Sequence, residues 1–175
     1  MIPNAHKVSE YINVLRQADI FYDLTQLQLE MVAALCSEVT PDQGEIIFEE
    51  NSASDELYVV ASGAVEILVS TAIVRSVSTG RSPDPLVITT IRRWQTFGEV
   101  ALVDQGLRSA SARCAARKTR LLIIPRDQLI KLCDTDSPLG YRLMRNIAAD
   151  LAFKIRGTDL AIREQLLWGH GDKAT

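Results

Sequence analysis

The stretch Phe97–Ala112, FGEVALVDQGLRSASA, sets a glutamate directly after a glycine and an arginine nine positions later. An arginine between leucine and SASA is a poor choice for a strand meant only for a core. Gly98 lets the backbone turn sharply where a strand such as RRWQTF ends, and EVALV can then form one short helical turn. The N-terminus of such a turn presents free N–H groups and a partial positive charge that suits an anion. Arg108, expected at the start of the next strand, adds a bidentate, charge-assisted donor for the same anion, and Ser109 a hydroxyl. Glu99 cannot usefully face an anion of its own sign, so its carboxylate suits a sugar hydroxyl. Two readings stay open at this point. One is a pocket for a phosphorylated sugar; the other is a surface ion pair of Glu99 with Arg108, worth about 0–1 kcal/mol.

Working outward, the segment before the quoted stretch is rich in short β-type runs. GEIIFEE, DELYVVASG, AVEILVS and PLVITTIRRW are punctuated by Gly44, Gly63 and Pro85, and SASARCAAR and TRLLIIP follow. Regularly spaced short strands of this kind predict an antiparallel jelly roll. On the N-terminal side, residues 6–38 carry apolar positions at helical spacing, with Thr25 as an N-cap where the helix restarts. On the C-terminal side the helical period returns at RDQLIKLCD, and a long helix is expected from Ser137-Pro138 to about Trp168. The order is an α+β fold: N-terminal helices over 1–38, a β jelly roll over 39–125 containing the cassette 97–110, and C-terminal helices over 126–175, all one domain. Ser70–Pro85 reads as an exposed hairpin tip, and the tail GHGDKAT as frayed.

Composition narrows the function classes. The chain has 175 residues, 47% hydrophobic and 23% charged, with a net charge of −3. This is globular in character and lacks the overall basic balance of a DNA-binding protein. No apolar run reaches the ~20 residues of a membrane span. The N-terminus MIPNAHKVSEY lacks signal-peptide features. Three cysteines without CxxC spacing (Cys36, Cys114 and Cys133) read as reduced core thiols, which makes the cytoplasm the expected location. The two histidines, His6 and His170, stand at opposite ends of the chain and outside the strand block, so a histidine metal cluster or a histidine-based nucleophile scheme is not expected. No GxxxxGK[ST] or GxGxxG loop occurs. The expectation is a binding protein rather than an enzyme, with no metal and no cofactor.

At the quoted stretch the residues resemble the cyclic nucleotide-binding domain family, the sensor domain of catabolite activators and of cyclic-nucleotide-regulated kinases and channels. Its phosphate-binding cassette, F-G-E-x-A-L, five variable residues, then R-[STA]-A, stands here as Phe97-Gly98-Glu99-Val100-Ala101-Leu102, VDQGL, Arg108-Ser109-Ala110. Upstream, GEIIFEENSASDELYVVASGAVEI is similar to the family's first strands, with Gly44 and Gly63 at turn glycines. The resemblance covers roughly residues 20–168. It implies that Glu99 accepts from the ribose 2′-hydroxyl and Arg108 binds the cyclic phosphate of cAMP or cGMP. Gly98 and Ala101 would add backbone N–H groups, and Ser109 would sit beside phosphate or purine. Three departures stand out: Asn51-Ser52 in place of the family's Gly-Asp, Leu107 before the arginine, and the long Ser70–Pro85 loop.

The last helix carries Leu151, Ile155, Thr158 and Ile162 at spacings of four, three and four, as in a coiled-coil seam. A homodimer through this helix is expected. Aligned with the dimer helix of the catabolite activators, Thr158 falls near the threonine that contacts adenine, with Asp159 in place of the following serine. Only seven residues follow Trp168. The expectation is therefore a sensor without its own output, acting on an unidentified effector protein. A scaffold that keeps the fold but not the ligand is the alternative.

Overall fold

The computed structural model of the chain describes residues 5–70 and 85–168. Two four-stranded antiparallel sheets form the roll. One has the order β1 (Ser37–Val39), β8 (Arg120–Ile124), β3 (Leu57–Ser62), β6 (Thr96–Phe97); the other has β2 (Ile46–Phe48), β7 (Ser111–Cys114), β4 (Ala64–Val69), β5 (Leu86–Arg92). Helices α1 (Ala5–Leu15) and α2 (Gln26–Leu35) precede the roll, with a 3-10 turn at Asp19–Phe21 between them. The short α3 (Glu99–Asp104) interrupts it, and α4 (Arg126–Thr135) and α5 (Ser137–Trp168) follow it. The jelly-roll expectation and the long terminal helix agree with this arrangement. The first strand begins at Ser37, inside the stretch expected to be helical. The expected hairpin tip and the tail fall on 71–84 and 169–175, outside the described residues.

β3 explains why LYVVA is apolar without alternation: it is buried on both faces. Leu57, Val59 and Ala61 pack with Leu122 and Ile124 of β8 against the helices, including Leu15, Val32, Leu139 and Leu143. Tyr58 and Val60 face the other way, into the roll, where they meet Val65, Ile91, Phe97 and Ala112. The i, i+4 stripe Leu139–Leu143–Ile147 is the inner face of α5, fully covered by this helical layer.

Polar contacts fix the angle of the helices. Thr25 caps α2 with Gln28 in a reciprocal capping box. The buried Gln28 amide also donates to the Asp136 carboxylate at 3.2 Å, and Asp136 in turn accepts from the Leu139 N–H at 3.0 Å at the start of α5. One glutamine thus ties the first helical pair to the last.

Two glycines give opposite expectations. Gly63, at φ +84° in the β3–β4 turn, has no room: a Cβ there would lie 2.7 Å from Thr119 Cα. Gly157, within α5, has nothing within 4 Å of its Cβ position. Gly63→Ala is expected to destabilise by about 2–4 kcal/mol through backbone strain and overlap. Gly157→Ala is expected to stabilise by about 0.5–1 kcal/mol through helix propensity. Urea unfolding midpoints check both signs.

Candidate functional site

The cassette forms where β6 runs into α3. Gly98 is the N-cap of α3 at φ +87°, a left-handed conformation that glycine adopts without strain. Its missing side chain also matters: a Cβ would stand 2.7 Å from Arg108 Nη1 and 2.8 Å from the Glu56 carbonyl oxygen. The turn is glycine because the arginine lies against its backbone.

Arg108 is 2% exposed. It precedes β7 by three residues rather than opening it, because its backbone pairs with the β2–β3 loop instead. Its N–H donates to Ser52 O at 3.0 Å, and its carbonyl accepts from Asn51 N–H at 2.8 Å. Asn51 has φ +64°, left-handed backbone that asparagine tolerates better than most residues. The departure from the family's Gly-Asp thus sits at a position where asparagine keeps the turn.

The guanidinium is held on every side. Nε donates to Ser54 Oγ at 2.8 Å, Nη1 to Gly98 O at 3.2 Å, and Nη2 to Glu56 O at 2.9 Å and to Glu56 Oε2 at 3.3 Å. Four of its five N–H groups are therefore committed within the protein. Its carbon centre lies 4.1 Å from the centroid of the Phe48 ring, which packs with Tyr58 and Phe97 in one aromatic cluster. Burial lowers the Arg108 pKa from its usual value, opposed by Tyr58, Glu56 and Asp55. Burial also pushes the Tyr58 phenol up to about 12, with Glu56 adding to the rise.

Glu99 does not meet Arg108, which removes the direct ion pair as a description of the two residues. Glu99 is 5% exposed, and its Oε1 accepts from Lys154 Nζ of α5 at 2.8 Å. Among the described residues its buried Oε2 has no hydrogen-bond partner. Lys154 also donates to Thr96 O at 3.2 Å and pairs with Asp150 at 2.8 Å. Burial pulls the Lys154 pKa down, but Glu99 and Asp150 outweigh it and leave it raised.

The other predicted residues are spread around this pair. Ala101 is buried in α3, and Ser109 is exposed between buried Arg108 and Ala110. Thr158 is exposed on α5, one turn beyond Lys154, and its hydroxyl donates to the Lys154 carbonyl at 3.0 Å. Leu151 of the expected seam packs against the core, whereas Ile155 is exposed. Lys154, Glu56 and Ser54 were not anticipated. Lys154 stands one helical turn before Thr158, which is the one sequence signal that points to it. A recess of about 310 Å³ lies beside the β2–β3 loop, lined in part by Glu49, Glu50 and Ser111, and includes neither Glu99 nor Arg108. Arg113 lines it as well. Among the described residues no cluster of three potential metal ligands occurs, and burial pushes the Cys36 thiol up to about 12, far from a reactive thiolate.

Comparison with known proteins agrees with this fold. The sequence model of the family described as the cyclic nucleotide-binding domain matches residues 38–136. The cyclic AMP receptor protein of Thermus thermophilus is 28% identical over 148 residues, covering 85% of this chain and 62% of that protein. A cAMP-dependent protein kinase regulatory subunit of Schizosaccharomyces pombe is 26% identical over 141 residues, covering 81% of this chain and 28% of the relative. The chain thus spans less than two thirds of either relative. A solved structure of a putative cyclic nucleotide-binding protein from Geobacter metallireducens superimposes with a TM-score of 0.65 at 26% identity, covering 81% of this chain and 95% of that one.

The Lys154 tie has a stability consequence. Lys154→Met strands the Glu99 carboxylate and is expected to cost about 1–3 kcal/mol, below the range for fully buried pairs because Lys154 is 35% exposed. Adding Glu99→Gln to that variant should recover most of the loss. A raised lysine pKa contributes stability below the ordinary lysine range and loses it as alkaline pH passes the raised value. Unfolding midpoints against pH should therefore separate wild type from Lys154→Met at neutral pH and converge in the alkaline range.

Proposed function

Since this chain belongs to the cyclic nucleotide-binding domain family, we propose that it is a non-catalytic sensor of cAMP or cGMP that signals through α5. The single observation that carries the reading is the buried, unpartnered Oε2 of Glu99. An orphaned acceptor in the interior costs free energy, about 1–3 kcal/mol, and a ribose 2′-hydroxyl donating to it would remove that cost. Arg108 is assigned to the cyclic phosphate. The Glu56 carboxylate, at 3.3 Å its longest contact and itself 36% exposed, is the group a phosphate would replace. Gly98 and Ala101 contribute backbone N–H groups, Ser109 lies beside phosphate or purine, and Thr158 lies on the purine side.

In this reading Lys154 links ligand to helix, because it holds Glu99 from α5. Ligand binding moves α5 only to the extent that affinity differs between the two helix positions. A homodimer through Leu151, Ile155, Thr158 and Ile162, an effector protein and a cytoplasmic location complete the proposal.

One observation favours the second reading, a scaffold without ligand. A decayed pocket should lose a buried arginine that has no partner, since an unpaired buried guanidinium is costly. Here Arg108 is already satisfied by Ser54, Gly98 and Glu56, so its retention does not by itself require a ligand.

Competition against a fluorescent cyclic nucleotide separates the two. Arg108→Ala is expected to weaken binding by about 2–5 kcal/mol, and Glu99→Ala to abolish discrimination against a 2′-deoxy ligand. Glu56→Gln is expected to tighten binding by removing the internal anion. Affinity unchanged in Arg108→Ala would sink the phosphate assignment, and no binding by the folded wild-type chain would leave the scaffold reading standing.

A further inference from the structure

One end of the roll is made of three turns side by side. The β3–β4 turn at Gly63 is central. The 92–95 turn flanks it on one side, through Trp94 N–H donating to Val60 O at 2.7 Å. The 115–119 turn flanks it on the other, through Ser62 Oγ donating to Lys118 O at 3.2 Å. One strand spacing on each side puts the flanking turns about 10 Å apart.

These turns expose Arg92, Arg93, Arg117 and Lys118. Among the described residues none of the four is in an ion pair. On a chain of net charge −3 this is a concentrated cationic end. Trp94 stands among them at φ +71°, a backbone conformation unfavourable for a bulky residue. Trp94 belongs to neither core cluster and is 40% exposed, with the Arg93 guanidinium 4.6 Å from its ring centroid. Core packing therefore does not account for the indole or for its strained turn.

We infer that this end of the roll docks on an anionic phospholipid surface. Exposed tryptophan with arginine and lysine is the side-chain set that settles at headgroup level, the ring at the apolar boundary and the cations on phosphates. An acidic protein segment fits less well. The recess at this end, about 450 Å³, is lined by Asp42 as well as Gln43, Arg117 and Lys118. A chain of carboxylates seated there would meet Asp42. β3 runs from Leu57, beside the cassette, to Ser62 at this end, a span of about 17 Å. The surface is thus separate from Glu99 and Arg108, and the inference does not depend on the nucleotide reading.

The test is co-sedimentation of the full chain with phosphatidylcholine vesicles with and without about 30% phosphatidylglycerol, at rising salt. Binding to the anionic vesicles alone, declining with salt, is expected. Arg93→Glu with Lys118→Glu should lower the partition coefficient by roughly tenfold or more, at an unchanged unfolding midpoint. In a Trp168→Phe background, the Trp94 emission should shift to the blue on anionic vesicles. Equal partition onto neutral vesicles, no partition at low salt, or full binding by the double variant would overturn the inference. Binding of a soluble polyglutamate peptide with the vesicles left bare would overturn it in favour of an acidic protein partner.

Discussion

The buried guanidinium of Arg108 is the point on which the cassette is organised. A fixed positive charge with five donors cannot be left dry, so the surrounding chain is arranged to receive it. The β2–β3 loop offers Ser54 and Glu56, the α3 turn offers the Gly98 carbonyl, and Phe48 lies against its face. Gly98 must be glycine because the guanidinium and the Glu56 carbonyl already fill the space of a side chain. Two loops that are distant in sequence are thereby locked to each other before any ligand arrives.

A second charge set joins that cassette to the last helix. Glu99 leaves the surface at the first position of α3, and Lys154 reaches it from α5. The pair leaves one carboxylate oxygen committed and one empty. A ligand hydroxyl on the empty oxygen would alter a carboxylate on which α5 is fastened, which is a physical route from pocket to helix. Arg108 and Glu99 therefore differ in kind. The arginine has four of its five N–H groups paired without ligand, while the glutamate keeps one buried oxygen unpaired.

Much of this was legible in the sequence, and the reasons are local. Gly98 before a short apolar run predicts the turn into α3, Thr25 predicts a helix start, and Ser137-Pro138 predicts the start of α5; each depends on residues close in the chain. The doubly buried β3 reads as a continuous apolar run for the same reason. The illegible parts are contacts across long separations. Lys154 lies 55 positions from Glu99, and Glu56 lies 52 from Arg108. Nothing in a helical register says which distant carboxylate a lysine will meet, or that an exposed-looking glutamate before a strand will sit on the cassette arginine. The same limit led the expected Glu99–Arg108 alternatives to frame the two residues as one pair, when each has a different partner.

On the proposed function, this cassette takes a cyclic nucleotide. Calorimetric titration of the full chain with cAMP, with cGMP and with linear 5′-AMP tests it most directly. Saturable heat with one or both cyclic nucleotides, and much weaker binding of the linear nucleotide, is the predicted result. A folded protein that gives no heat with either cyclic nucleotide would contradict it.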